Sequence, residues 1–117
     1  MSIMPYFPLA SGALTGKYRR GEPAPAGTRL GGDGEQSSDD VIGAARLAVV
    51  ERLTEFATSR GHTILELALS WLAGRPAVST VIAGATSPEQ VRANAAATTA
   101  WDMTPDDVAA IDAILNG

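Results

Sequence analysis

The sequence predicts a helix-rich α/β chain, and three observations carry that expectation. Short β-branched or aromatic runs alternate with amphipathic stretches, in the order strand, long loop, paired helices, strand, helix, helix. Strands separated by helices pair in parallel through a right-handed crossover. The length of 117 residues gives one domain or a piece of one, too short for a closed eight-stranded α/β barrel of about 250 residues.

The elements follow in order. Ile3–Leu9 is apolar and aromatic but carries Pro5 and Pro8, so it reads as a short strand ending at Pro8. Residues 10–38 are rich in Gly, Pro and Ser, with Gly27, Gly31, Gly32 and Gly34 close together, and predict a long loop without a regular element beyond a turn. From Asp39 a helical stride begins, with Ile42, Ala45, Val49, Leu53, Phe56 and Ala57 on one face and Gly61 as its stop. Thr63 and Glu66 form a capping box for the next helix, whose buried stripe is Ile64, Leu67, Ala68, Trp71 and Leu72 and whose end is Gly74. Val78–Ile82 is a β-branched strand between Pro76 and Gly84. Ser87-Pro88-Glu89-Gln90 opens a helix reaching about Thr98, and Thr104-Pro105-Asp106-Asp107 opens another that buries Val108, Ile111 and Leu115.

Composition excludes several classes. There is no cysteine, hence no disulfide scaffold, thiolate metal site or cysteine nucleophile, which fits a reducing cytoplasm. No signal-like start or membrane-length apolar run is present, so the chain is expected to be soluble and away from membranes. A net charge of −4 speaks against a nucleic-acid partner. The charge is uneven: residues 1–30 hold Lys17, Arg19, Arg20 and Arg29 against Glu22 alone, a cationic loop suited to a small anion. Lys17 is the single lysine beside eight arginines, a usage that fits a G+C-rich genome.

Two constellations could carry binding. Gly12-Ala-Leu-Thr-Gly16-Lys17-Tyr18 fails as a P-loop, because three residues separate the glycines and Tyr18 stands where a hydroxyl magnesium ligand is needed. It can still offer backbone N–H groups and a point charge to a phosphate, or be an ordinary surface loop. Ile82–Gln90 sets a turn between a strand end and a helix start, where an anion is favoured; Ser87 and Gln90 could equally serve as caps alone. His62, the only histidine, reads as an inter-helix turn residue without metal partners, and Trp101 as core or rim.

Pro5–Tyr18, Glu66-Leu-Ala-Leu-Ser-Trp71 and Val81–Asn94 together closely resemble the aldo-keto reductases, in the bacterial branch akin to potassium-channel β-subunits. The resemblance covers essentially all of residues 1–117. It implies part of a (β/α)₈ TIM barrel: its last two βα units and closing helices, with two short parallel strands and the cofactor-side loop at 10–38. It also implies an NADP(H)-dependent oxidoreductase that reduces aldehydes and ketones without a metal. By that resemblance Tyr6 stacks on the nicotinamide; Pro8, Leu9 and Ser11 line the pyrophosphate turn; and Lys17 meets the pyrophosphate. Arg29 nears the adenosine phosphate, Gly84, Thr86 and Gln90 surround the 2′-phosphate, and Asn94 reaches the adenine.

Ala93 departs from the family, where Glu is frequent. The family's catalytic Asp, Tyr, Lys and His belong to the first half of the barrel, and none of Tyr6, Lys17, Tyr18 or His62 matches one of them, so no catalytic residue is assigned. The implied activity of this chain alone is nil, for want of a proton donor to the carbonyl oxygen. The expectation is a C-terminal reductase portion holding half a cofactor site. The alternatives are a stand-alone nucleotide-binding or interaction module, and a truncated product without function. Candidate partners are NADPH, the complementary N-terminal barrel portion and a second copy of the chain.

Overall fold

The computed structural model describes residues 1–6, 8–28, 30–34 and 36–117. Among these, the helices are α1 (Ser38–Ile42), α2 (Ala44–Ser59), α3 (Ile64–Ala73), α4 (Pro88–Thr98) and α5 (Pro105–Asn116). Four start on a short polar side chain that accepts a first-turn N–H, beginning with Ser37 Oγ, which accepts from Asp40 N at 3.2 Å on α1. Thr63 Oγ1 accepts from Glu66 N at 3.2 Å while Glu66 Oε2 accepts from Thr63 N at 3.2 Å. Thr104 and Asp107 repeat that reciprocal pair on α5, and Ser87 Oγ accepts from Gln90 N at 3.2 Å on α4. Each cap stabilises its helix by about 1 kcal/mol.

The helical stride from Asp39 is interrupted. Gly43 lies between α1 and α2 at φ 95°, ψ 127°, a conformation that a Cβ disfavours. Its N–H closes α1 on Asp39 O at 2.9 Å, and its carbonyl accepts from Leu47 N at 3.0 Å to start α2. Val49, Leu53, Phe56 and Ala57 of the expected stripe pack on the main core, Leu47 and Val50 are buried beside them, and Ala45, just after the break, is exposed, which corrects the expected stripe at that position. Gly43→Ala is therefore expected to lose about 1–2 kcal/mol in urea unfolding; stability at or above that of the parent would show that a continuous helix is accessible.

The two expected strands are corrected as well. Among the described residues they pair only through isolated parallel bridges, Ile3 with Val78 and Tyr6 with Ile82. Ile3 N donates to Ala77 O at 2.7 Å, Ser79 N to Ile3 O at 3.0 Å and Ile82 N to Pro5 O at 3.1 Å. Pro5 has no N–H to return, and a parallel pair without neighbours is weak, so a regular ladder does not form. A cavity of about 390 Å³ separates Val78–Val81 from α3 and α4, with Asn94 on its wall.

The main core joins α2, α3, α5 and the segment after α4 through Leu53, Ala57, Ile64, Leu67, Trp101 and Ile111. Trp101, 8% exposed, is thus a core residue. Buried Ser70 fits α3 closely to α4: its Oγ donates to Ala97 O at 2.7 Å and accepts from Trp101 N at 3.3 Å. Leu115 is exposed, contrary to expectation, and Ile114 packs inward instead.

The long loop carries more order than its composition suggests. Ala10–Thr15 forms a 3-10 segment, and Pro23 bridges Ser37 in antiparallel fashion. A second cluster of Ala13, Tyr18, Ala24, Ile42 and Leu47 fastens this loop to α1 and α2. No helix among the described residues is long and apolar enough to cross a membrane.

Candidate functional site

Parallel pairing sets the site. Because Tyr6 and Ile82 are partners in one direction, the chain leaves both residues at the same end of the pair. From that end one segment enters the 3-10 turn and the other the Gly84–Ser87 turn before α4. Open α/β arrangements bind ligands beyond such C-terminal strand ends.

The first wall is the 3-10 turn. Leu9 O accepts from Gly12 N at 2.9 Å and from Leu14 N at 3.2 Å, which curls the chain tightly. The curl places Ala10 at φ 48°, Ser11 at φ 58° and Gly12 at φ 102°. Positive φ at two successive non-glycine residues carries strain of the kind that gathers at ligand sites. Leu14 anchors the turn on the main core, and Gly16 at φ 84° ends it close to the Ile64 side chain. Lys17 lies across Gly12: a Cβ there would meet Lys17 Cε at 3.1 Å and Nζ at 3.3 Å. Its exposed ammonium sits 5.6 Å from the centre of the buried Tyr18 ring.

The second wall is the start of α4. Gln90 Oε1 accepts from both Thr86 N, 2.7 Å, and Thr86 Oγ1, 3.1 Å, so Thr86 and Gln90 form one unit. Ser87 acts as the cap, and Asn94 Nδ2 reaches the Gly84 carbonyl only at 3.5 Å. A cavity of about 480 Å³ opens here, lined by Ala85, Thr86, Ser87, Pro88, Val91 and Arg92. Arg92 is absent from the sequence-based site; its guanidinium adds positive charge beside a helix start that already favours anions. Its signal was its place two residues beyond Gln90 in the first turns of the helix.

The pairing thus brings Tyr6, Pro8, Leu9, Ser11 and Lys17 to the same end as Gly84, Thr86, Gln90 and Asn94. Tyr6 is an exposed aromatic at that end. Arg29 falls outside the described residues. Among the described residues no group of three His, Asp or Glu side chains could hold a metal ion.

His62 does more than fill a turn. Its Nδ1 lies 2.8 Å from Glu66 Oε2, and its ring stacks on Trp101 at 4.3 Å and 10°. The hydrogen bond from His62, helped by the Thr63 N–H, holds the Glu66 carboxyl below the usual range. The spacing of four residues was the available signal for this pair.

The aldo/keto reductase family profile matches residues 1–116. The chain belongs to the aldo/keto reductase family. A Schizosaccharomyces pombe protein provisionally named voltage-gated potassium channel subunit beta is 39% identical over 115 residues, which is 93% of this chain and 32% of that protein. The L-glyceraldehyde 3-phosphate reductase of Escherichia coli O157:H7 is 32% identical over 92% of this chain and 31% of its own length. A protein of Oryza sativa subsp. japonica, also provisionally named a channel β-subunit, is 33% identical over 98% of the chain and 35% of its own length. This aldo/keto reductase chain therefore spans about a third of the length of the curated relatives it matches.

Proposed function

We propose that this chain is the C-terminal portion of an aldo/keto reductase barrel and supplies the dinucleotide-phosphate half of its NADP(H) site. The family reaction is reduction of an aldehyde or ketone to an alcohol. The observation that carries the reading is the parallel partnership of Tyr6 with Ile82, which puts a lysine-bearing turn and a helix start at one end of the fold. These two walls fit an elongated polyanion, because each combines backbone donors with a nearby cation.

In this reading Tyr6 lies against the nicotinamide and the turn at Pro8, Leu9 and Ser11 follows the pyrophosphate. Lys17 neutralises the pyrophosphate charge, with Arg29 serving the adenosine side. Gly84 leaves room beside Thr86 and Gln90 at the 2′-phosphate, where Gln90 still has both amide N–H donors after Thr86 has taken its oxygen. Asn94 meets the adenine. NADPH supplies the hydride when bound; the acid–base residues that complete the reaction belong, by this proposal, to the part of the relatives that the chain does not match. The exposed Ile3, Met4 and Ile82 at the paired segments favour a seat against neighbouring barrel strands, or against a second copy when those are absent.

Titration of the chain with NADPH, followed by NMR, tests the reading. Saturable binding is expected, weakened about tenfold by Lys17→Ala and by Gln90→Ala, the scale of one charge-assisted or amide contact to phosphate. No saturation at millimolar NADPH, or affinity equal to the parent's in both variants, would sink it.

A further inference from the structure

We infer that Tyr18 is the positioning residue that locks the two halves of the long loop into one cofactor-holding unit; the inference rests on the NADP(H) reading above. Tyr18 is 3% exposed, far more buried than its exposed neighbours Lys17 and Arg19. Its ring edge closes on the 3-10 turn: a Cβ on Gly12 would sit 3.4 Å from Tyr18 Cε2, with the Lys17 stem on the same spot. The ring therefore backs the lysine that the reading assigns to the pyrophosphate.

The hydroxyl at the other end serves a different piece of chain. Tyr18 OH donates to Thr28 Oγ1 at 3.0 Å and accepts from Leu30 N at 3.3 Å. Thr28 Oγ1 in turn donates to Pro25 O at 2.7 Å and accepts from Gly31 N at 3.1 Å. One phenol thus ties the 3-10 turn to Thr28 and Leu30 and, through Thr28, to Pro25 and Gly31, across a span whose described residues carry only the isolated Pro23–Ser37 bridge. The apolar neighbours Ala13, Ala24, Ile42 and Leu47 keep water from competing for the hydroxyl.

Tyr18→Phe keeps the ring and removes the link; Thr28→Val removes its partner. In both, amide exchange at Leu30 and Gly31 should quicken and the NADPH dissociation constant should rise about fivefold, with the melting temperature nearly unchanged. Amide exchange at Trp101 and Ile111 of the main core should stay as slow as in the parent; a general loss of fold would quicken loop and core together. Parent-like NADPH affinity in both variants, or equal quickening of loop and core, overturns the inference. Faster exchange with no NADPH binding even by the parent overturns the cofactor reading and the positioning role with it, while the loop link itself stands.

Discussion

Trp101→Ala is expected to remove about 3–5 kcal/mol of stability, the usual loss when a buried aromatic is cut to a methyl group. Against a total of about 5–15 kcal/mol for a domain of ordinary size, that is enough to leave much of the chain unfolded at 37 °C. The effect is large because the indole is where separate elements meet. It packs among Leu53 and Ala57 of α2, Ile64 and Leu67 of α3 and Ile111 of α5, while its own segment follows α4. Phe56 stacks on one side with ring centres 5.9 Å apart, and His62 lies nearly parallel at 4.3 Å. Removing the ring leaves a cavity that the helices can close only by giving up other contacts. Trp101→Phe keeps part of the ring contact and should cost about 1–2 kcal/mol. Urea unfolding of the two variants decides the matter; a loss below 1 kcal/mol for Trp101→Ala would place the core elsewhere. Leu14 of the 3-10 turn packs on the same cluster, so the alanine variant should also loosen the Lys17 wall of the proposed site.

What the sequence made legible was local chemistry. The Thr63–Glu66 box, the Ser87-Pro88 start and the Thr104–Asp107 pair are set by residues three apart, and each appears where the sequence puts it. The break at Gly43 was hidden because a single glycine inside an apolar stride is tolerated by many helices; only its φ of 95° shows that the helix stops there. Ala45, in the first turn after the break, is exposed, while Val49, Leu53, Phe56 and Ala57 keep the expected face and Leu47 and Val50 join them. Strand propensity at Val78–Ile82 was read correctly as extended chain, yet propensity does not supply neighbours, and the pairing stayed at two bridges.

The site divides the same way. Motif residues before and after the paired segments were recognisable one by one, but their shared end depends on the parallel partnership of Tyr6 with Ile82, a contact between residues far apart in sequence. The Tyr18 link was missed for the same reason: nothing at short range marks a phenol as the partner of a threonine ten residues away, whereas Arg92 had only its place near the helix start to mark it. Nor does the sequence mark Arg60, which meets Asp107 at 3.5 Å across the fold.

Asp107 carries the second large effect, and it is expressed through pH. Its side chain is buried, with Oδ2 accepting from Thr104 N at 3.1 Å and Oδ1 facing the Arg60 guanidinium. The Thr104 N–H is the main influence holding its carboxyl below the ordinary value of 3.8; burial opposes this, and the Thr104 hydroxyl, Arg60 and Trp101 side chains add to it. A carboxyl whose folded pKa lies below its unfolded one gives its full stabilisation above the unfolded value, and that contribution is lost as pH falls through the folded value. Glu66, lowered by His62, acts in the same direction. Stability should accordingly fall as pH drops below about 5, into the range where these carboxyls bind protons in the unfolded chain first. Asp107→Ala removes half of the capping box and a buried charge partner together, at a cost of about 2–3 kcal/mol at pH 7. Asp107→Asn keeps an acceptor for the Thr104 N–H and should cost about 1 kcal/mol, but it cannot titrate. Urea unfolding at pH 7 and at about pH 3, below the unfolded value, should therefore show a smaller difference for Asp107→Asn than for the parent; an equal difference would mean that other carboxyls alone set the acid limit of the fold.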